Sequence, residues 1–249
     1  DSNSLAHRTT WLRSDFTMAA VAESNLLLKT GTSYNFSERH LVWFTQNPVT
    51  SSGGMNDGAN NTTQGSGSSS VWSLGGNWQK ASATLFRGNG ADNESVSSAY
   101  LAYPNTTTMT GLSVPESYRY KSSAYLKNAV EIANPNMSLS QRKTAIKSAI
   151  VEYGAVGTNV YMTSSSDTTY YNSSKASYNY TGSSGVNHAV TIVGWNDNYS
   201  ASNFRKKPAG NGAWLVKNSW GTSYGGSGYV WVSYYVVHAG DNAYYEEMG

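Results

Sequence analysis

The chain of 249 residues contains no cysteine. Disulfides, thiolate nucleophiles and cysteine-held metals are therefore excluded. Charge is scarce as well: Asp, Glu, Lys and Arg make up 13% of the chain, against roughly 25% in an ordinary soluble domain. The 17 Lys and Arg nearly balance the 15 Asp and Glu, leaving a net charge of +2. No basic run interleaves with aromatics, so nucleic acid is not an expected partner. No apolar stretch reaches the ~18 residues of a membrane-spanning helix. No leader segment is visible and the first residue is Asp1, not Met, so a mature or trimmed form is expected. The four histidines, His7, His40, His188 and His238, share no ligand spacing with one another or with nearby carboxylates, and no glycine loop precedes a Lys-Ser/Thr pair. Neither a metal nor a cofactor is expected.

Ser, Thr, Asn, Gly and Tyr take the place of the missing charge. Such a polar but uncharged surface is common outside cells, and an extracellular or cell-surface location is expected. Hydrophobic residues make up 39% of the chain, enough for a core, and the length suits a compact two-lobed domain. Asn-x-Ser/Thr sequons begin at Asn35, Asn60, Asn61, Asn93, Asn105, Asn136, Asn172, Asn179 and Asn198. A chain rich in Asn and Ser generates such triplets by chance, and they matter only on a glycosylating export route.

Residues 16–29 read as a helix with Phe16, Ala19, Ala20, Leu26 and Leu27 at helical spacing and Ser14 and Asp15 as caps. Phe36-Ser37-Glu38 opens a second, short helix. Residues 50–70, rich in Gly, Ser, Asn and Thr, read as a surface loop inside one domain, because neither flank looks self-sufficient. Residues 72–87 read as a Gly-Gly turn and a helix, and 137–153 as a helix capped by Ser140 with Ile146, Ala149 and Ile150 along one side. Strands are expected at 155–162, 189–195, 214–217 and 229–234. The helical half precedes the strand-rich half, which points to an α+β fold. We expect a single domain over 1–249, with a helical, loop-rich N-terminal lobe to about residue 135 and a β-barrel-like C-terminal lobe from about 136.

Chemistry concentrates in two segments. In Asn187-His188-Ala189-Val190-Thr191-Ile192-Val193-Gly194-Trp195 a histidine sits at the mouth of an apolar strand. In Trp214-Leu215-Val216-Lys217-Asn218-Ser219-Trp220-Gly221 an Asn and a Trp follow another. An imidazole at one strand end and an amide at the next can meet side by side, and the amide then holds the ring in the one tautomer that a general base needs. Alone, His188 reads as a structural histidine and Asn218 as a turn residue; together with their flanks they are far more specific.

These segments resemble the His and Asn motifs of the papain family of cysteine peptidases. Gly225, Gly226, Gly228 and Tyr229 are similar to that family's closing turn and strand, Phe36-Ser37-Glu38…Leu41-Val42 to its Leu-Ser-Glu-Gln…Leu-Val segment, and Gly75-Gly76 to its substrate-binding glycine pair. Asn198-Tyr199-Ser200 resembles a segment of its secreted bacterial and archaeal members. The resemblance covers roughly Phe16 to Tyr235 and implies a papain-like two-lobed fold. It implies His188 as base, Asn218 as its orienting partner, Trp220 as a shield over their hydrogen bond, and Gly75, Gly76 and Trp220 as substrate contacts.

The family's nucleophile segment, Cys-Trp-Ala-Phe with a Glu ten residues after the Cys, is not matched at its start. Counting back from Glu23 puts Arg13 at the Cys position, Ser14 at the Trp and Asp15 at the Ala, and the oxyanion Gln position falls on His7. A gapped alternative pairs Trp11 with the family Trp and leaves Thr10 at the nucleophile position. Arginine cannot be a nucleophile, a hydroxyl lacks the accessible pKa of a thiol, and loss of an oxyanion donor typically costs about 10²–10³ in rate.

The leading expectation is a pseudopeptidase, a non-catalytic or structural module with a peptide, protein or glycan ligand in the interlobe cleft. The alternative is a hydrolase with Ser14 or Thr10 as a substitute nucleophile beside His188 and Asn218. A third reading makes the unit a rigid spacer in a larger surface protein.

Overall fold

A computed structural model describes residues 13–46, 77–86, 88–94, 100–102, 113–236 and 243–249. The chain divides into two compact units. One is Val130–Tyr245; the other holds the described residues up to Ala129 together with Glu246–Gly249.

Three helices build the second of these: α1 (Arg13–Thr30), α2 (Glu38–Gln46) and α3 (Trp78–Phe86). α1 starts earlier than its apolar pattern indicates, so Ser14 and Asp15 lie inside its first turn instead of capping it. Its packed face also differs from the expected one. Met18, Ala19, Val21, Ala22 and Leu26 are buried, whereas Leu27 is 51% exposed and Ala20 half-buried. The i, i+3, i+7 row of Ala19, Ala22 and Leu26 sets the stripe, and Leu27 stands about 100° around the helix from Leu26. This row joins Phe36, Leu41, Leu85, Ala91, Ala124, Leu126 and Met248 in one apolar cluster. The chain's C-terminal residues are fastened to α1: the Met248 backbone N–H donates to Asn25 Oδ1 at 2.9 Å, and Lys29 pairs with Glu247 at 2.6 Å.

α2 is introduced by Ser37, whose buried hydroxyl accepts the His40 backbone N–H at 3.1 Å and donates to the Leu101 carbonyl. That is the ordinary use of Ser ahead of a helix. His40 itself is fully buried and its Nε2 lies 2.9 Å from the Tyr118 carbonyl. A carbonyl only accepts, so Nε2 carries the proton. Burial lowers the His40 pKa, and the Tyr118 carbonyl and Asp92 oppose this in part.

The other unit is built on a sheet. Its elements are β1 (Leu126–Ala133), α4 (Leu139–Tyr153), β2 (Val156–Val160), β3 (Tyr171–Asn172), β4 (Ser177–Tyr178), β5 (His188–Asn196), β6 (Ala213–Lys217), β7 (Tyr229–Ser233) and β8 (Ala243–Met248). The strands form one eight-stranded sheet in the order β1-β8-β2-β5-β6-β7-β4-β3, and β1 and β8 each run from one compact unit into the other. The result is the expected α+β class. α4 is capped by Ser138, not Ser140: the Ser138 hydroxyl accepts from the Gln141 N–H at 3.2 Å and the Gln141 side chain accepts from the Ser138 N–H at 2.8 Å. This reciprocal pair is a capping box. Ile146 and Ala149 of α4 are buried and pack with Val156, Val160, Val190, Ile192, Trp214, Val216, Val230 and Val232. Each fully buried Val or Ile there contributes ~1.5–3 kcal/mol.

β5 pairs antiparallel with β2 on one side and β6 on the other, with a register shift between Ile192 and Gly194 on the β6 side. His188 opens β5 opposite Val160, and Thr191 faces Lys217, the last residue of β6. The first residue of β5 and the residue after β6 therefore lie at the same end of the sheet.

Candidate functional site

Continuing the β5–β6 register by one residue sets Asn218 opposite Val190, two positions along from His188 and on the same face. The side chains meet there: His188 Nε2 and Asn218 Oδ1 are 2.8 Å apart. Asn218 Oδ1 also accepts the Ser219 backbone N–H at 2.8 Å. A backbone N–H can only donate, so the atom facing both groups is the amide oxygen. His188 Nε2 must then be the donor, and in the neutral ring the basic lone pair resides on Nδ1. His188 is 4% and Asn218 8% exposed. A hydrogen bond of this kind contributes ~0.5–1.5 kcal/mol net. Its larger effect is to fix tautomer and ring plane.

Trp220 covers the imidazole. The two rings stack with centroids 5.2 Å apart and planes at 17°. Trp220 is itself held edge-on by Tyr224, which stacks on Tyr171.

Backbone geometry holds Asn218 from below. Its N–H donates to the Gly228 carbonyl at 3.0 Å, and Gly228 N–H donates to the Tyr224 carbonyl at 2.8 Å. This requires a tight reversal between β6 and β7, with Gly225 at φ +65 and Gly228 at φ +92. A Cβ on Gly225 would stand 2.1 Å from the Tyr229 carbonyl oxygen. Only glycine meets both demands.

Two further residues build the site: Asn187, which opens the histidine segment, and Met162, which no motif announces. Asn187 extends the β2–β5 ladder with its side chain: Oδ1 accepts the Met162 N–H at 2.8 Å and Nδ2 donates to the Met162 carbonyl at 3.0 Å. Its own N–H donates to the Val160 carbonyl at 3.0 Å. The residue preceding His188 is thus fastened on three bonds. Met162 in turn places its sulfur 3.9 Å from Asn218 Nδ2, filling the far side of the amide. The sequence signal for Asn187 is its position directly before His188; Met162 gives none.

Of the other sequence-predicted residues, Ser14 lies in the first turn of α1, is 8% exposed, and belongs to the helical unit. Arg13 is the first residue of α1. His7, Thr10, Gly75 and Gly76 lie outside the described residues. Asp15, which the sequence reading sets at the family's Ala position, is 1% exposed. Desolvation pushes its carboxyl up to about 7, with its own backbone N–H, Lys80 and Thr45 opposing. None of these makes a well-formed hydrogen bond to either carboxyl oxygen. Among the described residues no His, Asp and Glu cluster could hold a metal ion, and no helix is long and apolar enough to cross a membrane.

The sequence model of the papain family cysteine protease matches residues 14–244. No curated protein sequence matches significantly. Among solved structures, one similar chain comprises the cysteine protease and lectin-like domains of Cwp84, a surface layer associated protein of Clostridium difficile. It aligns at 26% identity with a TM-score of 0.74, over 100% of this chain and 49% of that one. A second is clostridial Cwp84 in a Cys-to-Ala form after propeptide cleavage, at 27% identity and a TM-score of 0.63, over 97% of this chain and 53% of that one. The chain thus spans about half the length of these relatives. The bromelain protease of Ananas comosus, bound to an inhibitor, shares the fold at 20% identity and a TM-score of 0.57, over 93% of this chain and 86% of that one.

Proposed function

This chain belongs to the papain family of cysteine proteases and holds no cysteine, and from this pairing we propose that it is a pseudopeptidase, a domain that binds or scaffolds and does not cut. The observation that carries the reading is chemical. Papain-type catalysis runs through a thiolate stabilised at a helix N-terminus, and no thiol exists anywhere in the chain. The family positions for thiol and oxyanion donor hold Arg13 and His7, neither of which does the work of the residue it replaces. Residues 1–249 form one papain-like domain in this reading, with His188, Asn218 and Trp220 as the retained half of the site. Retention has a structural use: His188, Asn218 and Trp220 close one end of the sheet by hydrogen bond and ring stack.

The surface-layer association of Cwp84 supports an extracellular setting, and its lectin-like domain supports membership of a longer surface protein. The abundance of uncharged polar residues and the exposed Tyr100, Tyr120, Tyr125, Tyr229 and Tyr235 suit a peptide, protein or glycan ligand, since Tyr offers large amphipathic contact at low entropic cost.

One observation favours a second reading, a hydrolase with Ser14 or Thr10 as nucleophile. The His188 ring is held in the tautomer that leaves Nδ1 basic, which is what a general base requires. A restoration experiment separates the two. Introducing Arg13→Cys, Ser14→Trp, Asp15→Ala and His7→Gln together is expected to produce thiol-dependent peptide hydrolysis that His188→Ala abolishes. No activity in that variant would overturn the assignment of Arg13 to the nucleophile position. Cleavage by the native chain, lost on Ser14→Ala or Thr10→Ala, would overturn the pseudopeptidase reading.

A further inference from the structure

The sequons remain unaccounted for by the site, and the structure separates them. Six of the nine fall on described residues: Asn35, Asn93, Asn136, Asn172, Asn179 and Asn198. Two of these have amides committed to the fold. Asn179 is 1% exposed and its Nδ2 donates to the Lys206 carbonyl at 2.6 Å. Asn172 is half-buried and its Nδ2 donates to the Asn203 carbonyl at 2.7 Å. Asn35 is exposed but its Nδ2 donates to Glu94 Oε2 at 2.7 Å, and the sequon hydroxyl of Ser37 is fully buried.

Asn136 and Asn198 are different. Both are exposed and both stand at turns that present the side chain to solvent. Asn136 lies between β1 and α4, where its backbone N–H is taken by Asn134 Oδ1 at 3.0 Å. Asn198 follows β5, where its N–H is taken by Asn196 Oδ1 at 2.9 Å. In each the local polar group satisfies the backbone N–H, and among the described residues no hydrogen bond to the side-chain amide nitrogen is found. The third residues, Ser138 and Ser200, use their hydroxyls to cap the following helical turns. Met137 and Tyr199 occupy the middle positions, so neither sequon is blocked by proline.

We propose that Asn136 and Asn198 are acceptors for N-linked oligosaccharide, an inference that rests on the extracellular reading above. The donor class is an oligosaccharide carried on a lipid phosphate or pyrophosphate, supplied by a membrane glycosyltransferase. Asn Nδ2 forms a bond to the anomeric carbon, the sugar–phosphate C–O bond breaks, the lipid phosphate leaves with the electron pair, and one amide proton passes to a base of the transferase. The amide keeps one N–H. At Asn136 and Asn198 the added sugar extends into water. At Asn179 it would have to fit where no solvent reaches, so a chain modified there before folding would not reach the native state. The low charge of the chain, 13%, gives hydrating sugars a physical role, since few ionic groups are present to keep the surface soluble.

The test is to export the whole 249-residue chain from an N-glycosylating secretory host and to map saccharide by peptide mass spectrometry on the secreted, folded pool. Asn136 and Asn198 are expected to carry saccharide and Asn172 and Asn179 to carry none. Asn136→Gln and Asn198→Gln, both at exposed positions, should each remove one glycan mass and the double variant two. A secreted chain with both positions bare would overturn the proposal, and saccharide on Asn179 would overturn the argument from burial. A separate fractionation of the source cells tests the reading beneath it: a chain found only inside cells contradicts the extracellular setting, whatever the exported chain shows.

Discussion

Asp15 gives the helical unit a pH effect large enough to measure, beside that of Glu246, which is fully buried and whose carboxyl desolvation also pushes up. The Asp15 carboxyl is 1% exposed in the first turn of α1 and desolvation raises its pKa from 3.8 to about 7. In the unfolded chain the group ionises near the ordinary value. Below that value both states are protonated and the burial costs nothing electrostatically. As pH rises toward 7 the unfolded state gains the free energy of ionisation and the folded state does not. The Asp15 contribution to stability therefore falls through this window and is flat above it. At 1.36 kcal/mol per pKa unit the loss is about 4 kcal/mol. For a chain of this size each kcal/mol moves Tm by about 2–4 °C. Asp15→Asn replaces the carboxyl with an isosteric neutral group. It carries its own cost of burying an amide, which is the same at every pH. The comparison is thus made as a difference: urea unfolding of both proteins, followed by helical circular dichroism, at pH 4 and pH 8. The Asn variant should gain about 4 kcal/mol on the native protein between those two conditions. An equal gap between the proteins at both pH values would mean that Asp15 ionises alike in the folded and unfolded chain.

His40 works in the opposite direction. Burial lowers its pKa below 6.5, so its contribution is present above that value and lost as pH falls; His40→Gln should flatten the acid limb of the stability curve between pH 7 and 5. Asn218→Ala removes the acceptor that fixes the His188 tautomer, and ¹⁵N NMR of the ring should show a mixture of protonated nitrogens where the native protein shows Nε2–H. Gly225→Ala forces a Cβ to 2.1 Å from the Tyr229 carbonyl at φ +65 and should cost about 2–4 kcal/mol in chemical denaturation, with no such loss for alanine at exposed, negative-φ positions nearby.

The pairing of His188 with Asn218 is legible in the sequence because both residues carry local signals. Each residue borders an apolar strand, and antiparallel pairing of consecutive long strands brings those borders to one end of the sheet. The fold class followed from the same strands and from the helices of the first half. The helix caps were not legible in the same way. Ser138, Ser140, Ser14 and Asp15 are all residues that cap helices, and what decides among them is where the backbone turns. Ser138 wins because Gln141 lies three residues on and returns the bond; Asp15 loses because α1 begins before it. The packed face of α1 turned on Met18, Val21 and Ala22, which the run of leucines at 26–28 outshouts in sequence. β1 and β8 escaped notice since Lys127, Asn128, Glu131, Glu246 and Glu247 interrupt their apolar pattern. The Asn187–Met162 clamp joins residues 25 positions apart through a side chain imitating a backbone, and no periodicity marks it.

A papain-family domain without a thiol is expected not to hydrolyse peptides. The most direct measurement is incubation of the purified chain and its His188→Ala variant with a diverse peptide mixture, read by mass spectrometry for new termini. The expected result is no cleavage above buffer and no difference between the two proteins. New termini produced by the native chain and absent with His188→Ala would contradict it.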